Sequence, residues 1–303
     1  MSKLIFNALS AIFDGSMATK VFAFIESVMM ALTAVFTSSE VMRGFTVLQA
    51  VAGSLLIIFF FVELTDNASK DMITLERLVL AFIKLILGMC LLMFLKEIIA
   101  GLFAFVYGIY HKIANAGVDD VSFGITFWGQ STFPESFDVL SEADQNFEGL
   151  DKNPLKAIMG SIGLLVNSLV LWLASWIALG VSYFVAISNA ISLIARATFS
   201  PIAVAQCFND GQKSNAIRYL KKFAADGLTM AVIVGILYAA STLQGHLVST
   251  IMAGESITSI DSSTAIKVME NLKVMLSIFA INFGAIGAIL KAPSLAQDIV
   301  GAH

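Results

Sequence analysis

FTVLQAVAGSLLIIFFFVEL, Phe45–Leu64, is the stretch whose reading decides the fold. Its core, LLIIFFFV, is an unbroken apolar run, and about 20 such residues as a helix cross the roughly 30 Å of a bilayer's hydrocarbon. Backbone polar groups in hydrocarbon must be satisfied within the segment, so a run of this length means a helix. Barrel strands are about 10 residues long and alternate in polarity, which this stretch does not.

The whole chain repeats the pattern. Hydrophobic residues make up 58% of the 303 and charged residues 13%, with a mean hydropathy of +0.86. Soluble domains carry about a quarter charged residues, and a soluble chain of this size has no way to hide so much apolar surface. The sequence therefore predicts an all-α, polytopic integral membrane protein. It has about five transmembrane helices, some overlong and protruding, and N-terminal amphipathic helices.

Residues 1–44 hold those N-terminal helices. Leu4, Ile5, Ala8, Leu9, Ile12 and Phe13 share one face of the first, and Asn7 and Asp14 argue against a cleaved secretion signal. The second contains Glu26 and is read as interfacial; the alternative is a crossing helix with Glu26 turned toward protein. Residues 45–114 hold spans one and two. The second apolar run, Leu78–Tyr110, is too long for one bilayer crossing and reads as a tilted span continuing out of the membrane, since no Pro or Gly-rich turn interrupts it. A hairpin of two short spans is the rival reading.

Residues 115–153 form an acidic outer loop, with eight acids against Lys152 and with Phe and Trp scattered through it. Pro154 opens a long third span, and 154–208 ends in a segment that Pro201 should break or kink near Phe199. A basic loop, 209–222, precedes spans four and five within 223–290, and a tail, 291–303, follows a Pro stop signal. Cys90 and Cys207 lie in apolar stretches without a CxxC or a neighbouring His, and read as small core residues rather than a disulfide. The density of positive residues in 213–222 places that loop in the cytoplasm, with the N-terminus and acidic loop outside and the C-terminus inside.

Chemistry-bearing patterns are sparse. There are three His residues, and no HExxH, Walker loop or GxGxxG. Gly160-Ser161-Ile162-Gly163 lacks a base to activate the serine and reads as helix packing. No enzyme, cofactor or metal is expected. Lys84 is the one intramembrane charge worth a transport reading, with snorkelling along its stem as the favoured explanation. Ala280, Gly284, Gly287 and Ala288 make a small-residue face; packing within one chain and oligomer packing both stay open. Arg196, Lys213, Arg218, Lys221 and Lys222 form a candidate cytoplasmic contact for a partner or anionic lipid, or serve only to set topology.

Two segments carry a resemblance. ARATFSPIAVAQCF, Ala195–Phe208, is similar to a Pro-Ile-Ala segment, and KAPSLAQDIVGA, Lys291–Ala302, to a cytoplasmic end, of the TrbL/VirB-six family. These are polytopic inner-membrane subunits of type IV secretion and conjugation machines. The inferred topology resembles theirs as well. The resemblance implies a structural and translocation-channel subunit, homo-oligomeric, in the bacterial inner membrane. Its partners would be membrane lipid, the minor and major pilins, other secretion-system subunits and separate ATPases. In the family the outer loop is tied to DNA contact; here its acids repel phosphates, so protein contacts are expected there instead. The alternative function is a secondary transporter or small-solute channel.

Overall fold

The computed structural model describes residues 16–37, 39–69, 75–119, 154–206, 215–251 and 272–302. Among them all regular structure is helical, in eight elements. These are α1 (Ser16–Thr37), α2 (Ser39–Ser69), α3 (Leu75–Met93), α4 (Leu95–Asp119), α5 (Pro154–Ala205), α6 (Asn215–Ile251), α7 (Leu272–Leu290) and α8 (Ala292–Val300). The amphipathic pattern over the first 15 residues and the acidic loop beyond Asp119 lie outside the described residues.

Among the described residues four segments are long and apolar enough to cross a membrane: Arg43–Asp66, Leu95–Asn115, Trp176–Ala205 and Ala216–Ala240. Leu276–Leu290 with Ala292–Val300, bent by 54°, makes a fifth if the pair is one broken span. Val47, Ile58, Phe61 and Val62 on α2 and Leu80, Ile86 and Leu87 on α3 are large, apolar and exposed. Water penalises such a surface and hydrocarbon does not. The described residues are thus all-helical in their regular structure, with four to five helices fit to span a membrane.

The described residues fall into two compact units. One draws on Met1–Ile25, Lys112–Val185 and Ile233–Lys291, the other on Glu26–His111, Ala186–Val232 and Ala292–His303. In the first unit Phe24 stacks on Tyr183 with ring centroids 3.9 Å apart, and the Tyr183 hydroxyl donates to the Lys20 carbonyl at 3.4 Å. Ile278, Ile281, Ala285 and Ile289 form the buried face of α7.

In the second unit α2 and α3 pack as an antiparallel hairpin. Near its closed end Lys84 Nζ meets Glu63 Oε1 at 2.8 Å. Farther along, Gly88 lies under Leu56, so close that a Cβ at Gly88 would come within 2.7 Å of Leu56 Cδ1. Beyond that, the Gln49 side-chain amide donates to the Leu92 carbonyl at 2.7 Å.

Four expectations are corrected here. The run Leu78–Tyr110 is not one helix but parts of two, α3 and α4, separated at Phe94. No Pro or Gly marks the break; Gln49, from another helix, supplies a donor to a carbonyl beside it, which is how an interruption without a local signal is satisfied. Conversely, Pro201 does not break α5, which runs on to Ala205. The carbonyl deprived of its donor by Pro201 is that of Ala197, four residues back, and the Ser200 hydroxyl donates to it at 2.7 Å.

The C-terminal segment is a helix rather than a tail. Pro293 falls in the first turn of α8, where a missing N–H leaves nothing unpaired. Gly301, at φ 65°, ends it. The Gly301 N–H donates to the Asp298 carbonyl (3.2 Å) and the Ala302 N–H to the Gln297 carbonyl (2.9 Å), the paired bonds of a Schellman cap. Finally, Cys90 is an exposed free thiol, not a core residue; Cys207 lies outside the described residues.

Candidate functional site

Helix periodicity brings Asn189, Ser192 and Arg196 onto one stripe of α5, at intervals of three and four residues. Opposite them, in the second unit, stands Asp226 of α6, 3% exposed. Its Oδ2 accepts from the Ser192 hydroxyl at 2.9 Å and from Arg196 Nε at 2.5 Å. The Asp226 main-chain carbonyl accepts from the Asn189 amide. Two turns earlier on α6, the Tyr219 hydroxyl donates to the Arg196 carbonyl at 2.8 Å. One acid therefore gathers a stripe of three side chains, and a tyrosine returns a bond from the same helix.

The neighbourhood explains why the helices approach so closely. Gly227, next to Asp226, faces Val106 of α4; a Cβ there would lie 2.9 Å from Val106 Cγ1. Ala225, on the other side of Asp226, packs with Ala296 of α8 and with Ala302, joined by Leu228, Val232 and Val300. Small residues permit this approach, and a paired charge in a desolvated setting then needs the hydrogen bonds that Ser192 and Arg196 supply.

A second polar cluster in the same unit joins α1 to α4. Glu26 Oε1 accepts from the Tyr107 hydroxyl at 3.4 Å and lies 3.4 Å from His111 Nε2. His111 Nε2 and the Tyr107 hydroxyl are 2.9 Å apart. Glu26 thus faces protein, which is one part of the alternative weighed for the second amphipathic helix; the other part, a membrane crossing, is not met, since α1 is not among the candidate spans.

The residues singled out in the sequence are placed as follows. Lys84 pairs with Glu63 rather than standing alone. Arg196, grouped with the cytoplasmic cations, turns inward onto Asp226, with its side chain 27% exposed. Arg218 and Lys221 are exposed and Lys222 half-buried in the opening turns of α6, so the basic segment is partly helix. Lys221 Nζ reaches the Gly301 carbonyl at 3.5 Å. Lys213 lies outside the described residues.

Ala280, Gly284 and Ala288 line a groove of about 520 Å³ shared by α6 and α7 in the first unit, facing Ala239 and Ala240. Gly287 is exposed and does not line it. A Cβ at Gly284 or Gly287 would meet nothing within 4 Å. On another face of α7, Asn282 is 4% exposed, and its amide nitrogen has no hydrogen-bond partner among the described residues.

Sequence reasoning missed Asp226, Glu63 and Gly227. The signal for Asp226 was an isolated acid in an apolar helix combined with the 189/192/196 stripe on its neighbour. No group of three or more His, Cys, Asp or Glu suited to a metal occurs among the described residues. Comparison with protein-family models, with curated proteins and with solved structures returns no match for the chain.

Proposed function

We propose that this chain is a non-enzymatic assembly and translocation-channel subunit of a type IV secretion, or conjugation, complex in the bacterial inner membrane. It supports pilus assembly and substrate transfer as a homo-oligomer, works with pilins and other secretion subunits, and draws energy from separate ATPases. One observation supports the reading above the rest. The two segments that carry the family resemblance, from Ala195 and from Lys291, are seated on adjoining residues of α6. Arg196 is held at Asp226, and Ala296 and Ala302 are packed at Ala225. Segments that begin 96 residues apart in sequence thus act as one module beside the basic turns of α6.

Gly284 and Gly287 add to this reading, because among the described residues nothing packs closely on them. A glycine kept where no neighbour needs its smallness fits a contact with another subunit.

A secondary transporter is the alternative. What favours it is the Asp226–Arg196 pair, a charge pair within two candidate spans, Trp176–Ala205 and Ala216–Ala240. Deleting the gene and measuring substrate transfer and pilus production separates the two. Our reading expects both to be lost and restored together by the wild-type chain. Retention of both, with solute uptake by the purified protein in liposomes, would establish the transporter.

A further inference from the structure

In the second unit, α1, α2, α4 and α5 enclose a half-open groove of about 440 Å³ whose only charged lining residue among the described ones is Lys96. We propose that this groove is a binding site for an anionic phospholipid, with one acyl chain along α4 and the phosphate at Lys96.

The groove has the shape of a chain. Ala100 and Ala104, both exposed and four residues apart on α4, form a shallow floor. Phe36 of α1 makes one wall, held edge-on to Phe103 with centroids 4.9 Å apart and edge-on to Phe223. Tyr107 closes the far end. Its hydroxyl is engaged by Glu26 and His111, which leaves the ring to face the groove.

The dimensions agree. From Lys96 to Tyr107 is 11 residues, about 16 Å of helix at 1.5 Å per residue. One leaflet's share of a hydrocarbon core about 30 Å thick is roughly 15 Å.

Position and charge name the headgroup. Lys96 lies in the first turn of the candidate span Leu95–Asn115, and the end of a helix that crosses the bilayer comes to the level where headgroups meet hydrocarbon. It is exposed and makes no ion pair among the described residues. Glu97, next along the helix, is exposed but does not line the groove. Lipid tails compete equally for any apolar groove, so the selectivity of this one comes from the ammonium group and favours anionic headgroups.

The test uses full-length protein in vesicles carrying phosphatidylglycerol with a photoactivatable acyl chain. Cross-links are mapped by mass spectrometry and competed with unlabelled phosphatidylglycerol or phosphatidylcholine. The proposal expects cross-links concentrated between residues 99 and 107, competed by phosphatidylglycerol about fivefold better than by phosphatidylcholine, with that preference lost in Lys96→Gln. Ala104→Phe, at an exposed position, should fill the groove and abolish the cross-links at unchanged helicity. Ala100→Phe is the second variant should the first misfold. Three results would overturn the proposal: equal competition by the two lipids, cross-links spread over the exposed faces of α2 and α3, or protein–protein cross-links from the groove instead.

Discussion

The guanidinium of Arg196 and the carboxylate of Asp226 meet at 2.5 Å, with the acid almost wholly withdrawn from its surroundings at 3% exposure. Removing one member of such a pair strands the other, and the loss is larger than the net worth of the intact pair. Asp226→Ala should therefore destabilise the fold by about 3 kcal/mol. The swap Arg196→Asp with Asp226→Arg should recover part of that loss. Thermal unfolding in detergent reads both variants, and an unchanged midpoint in Asp226→Ala would refute the role given to the pair.

Ser200 and Pro201 should be energetically coupled. Ser200→Ala leaves the Ala197 carbonyl without its donor, at about 1 kcal/mol. In a Pro201→Ala background the N–H of residue 201 takes over, so the same Ser200→Ala change should have a smaller effect. A double-mutant cycle that gives equal effects in both backgrounds would contradict the explanation of the unbroken helix.

Gly227 and Gly284 should respond oppositely. Gly227→Ala drives a Cβ into Val106 and should cost about 1–3 kcal/mol, with partial rescue by Val106→Ala. A Cβ at Gly284 meets nothing within 4 Å among the described residues, so Gly284→Leu should leave folding unaffected while the oligomer is lost. Unfolding and sizing of the two purified variants check this, and an intact oligomer in Gly284→Leu would remove that face from the subunit contact.

Asn282→Leu should be neutral or stabilising by about 1 kcal/mol in the isolated chain, because it removes a buried amide nitrogen that has no partner among the described residues. A clear destabilisation by thermal unfolding would show that the amide is paired.

The membrane character was legible because LLIIFFFV and its counterparts are long and continuous, a property of the chain alone. What was not legible came from partners distant in sequence. The break at Phe94 is satisfied by Gln49, and Lys84 finds Glu63 across a helical hairpin. Pro201 gave a strong local signal that was offset by the hydroxyl of its immediate neighbour. The glycine face on α7 attracted notice for its spacing, whereas the close helix approaches are at Gly88 and Gly227, single glycines whose significance depends on Leu56 and Val106 facing them. Gly301 followed the standard end-of-helix pattern, yet the segment before it reads as a tail when Pro293 is a stop signal, whereas Pro293 stands in the first turn of a new helix.

The central claim is membership in a secretion assembly. The most direct measurement is cross-linking in native cells, mild-detergent purification of the tagged chain, mass spectrometry of what comes with it, and particle imaging. The account predicts a ring of copies accompanied by pilin-like and ATPase subunits. A monomer or dimer that carries none of these after cross-linking would contradict it.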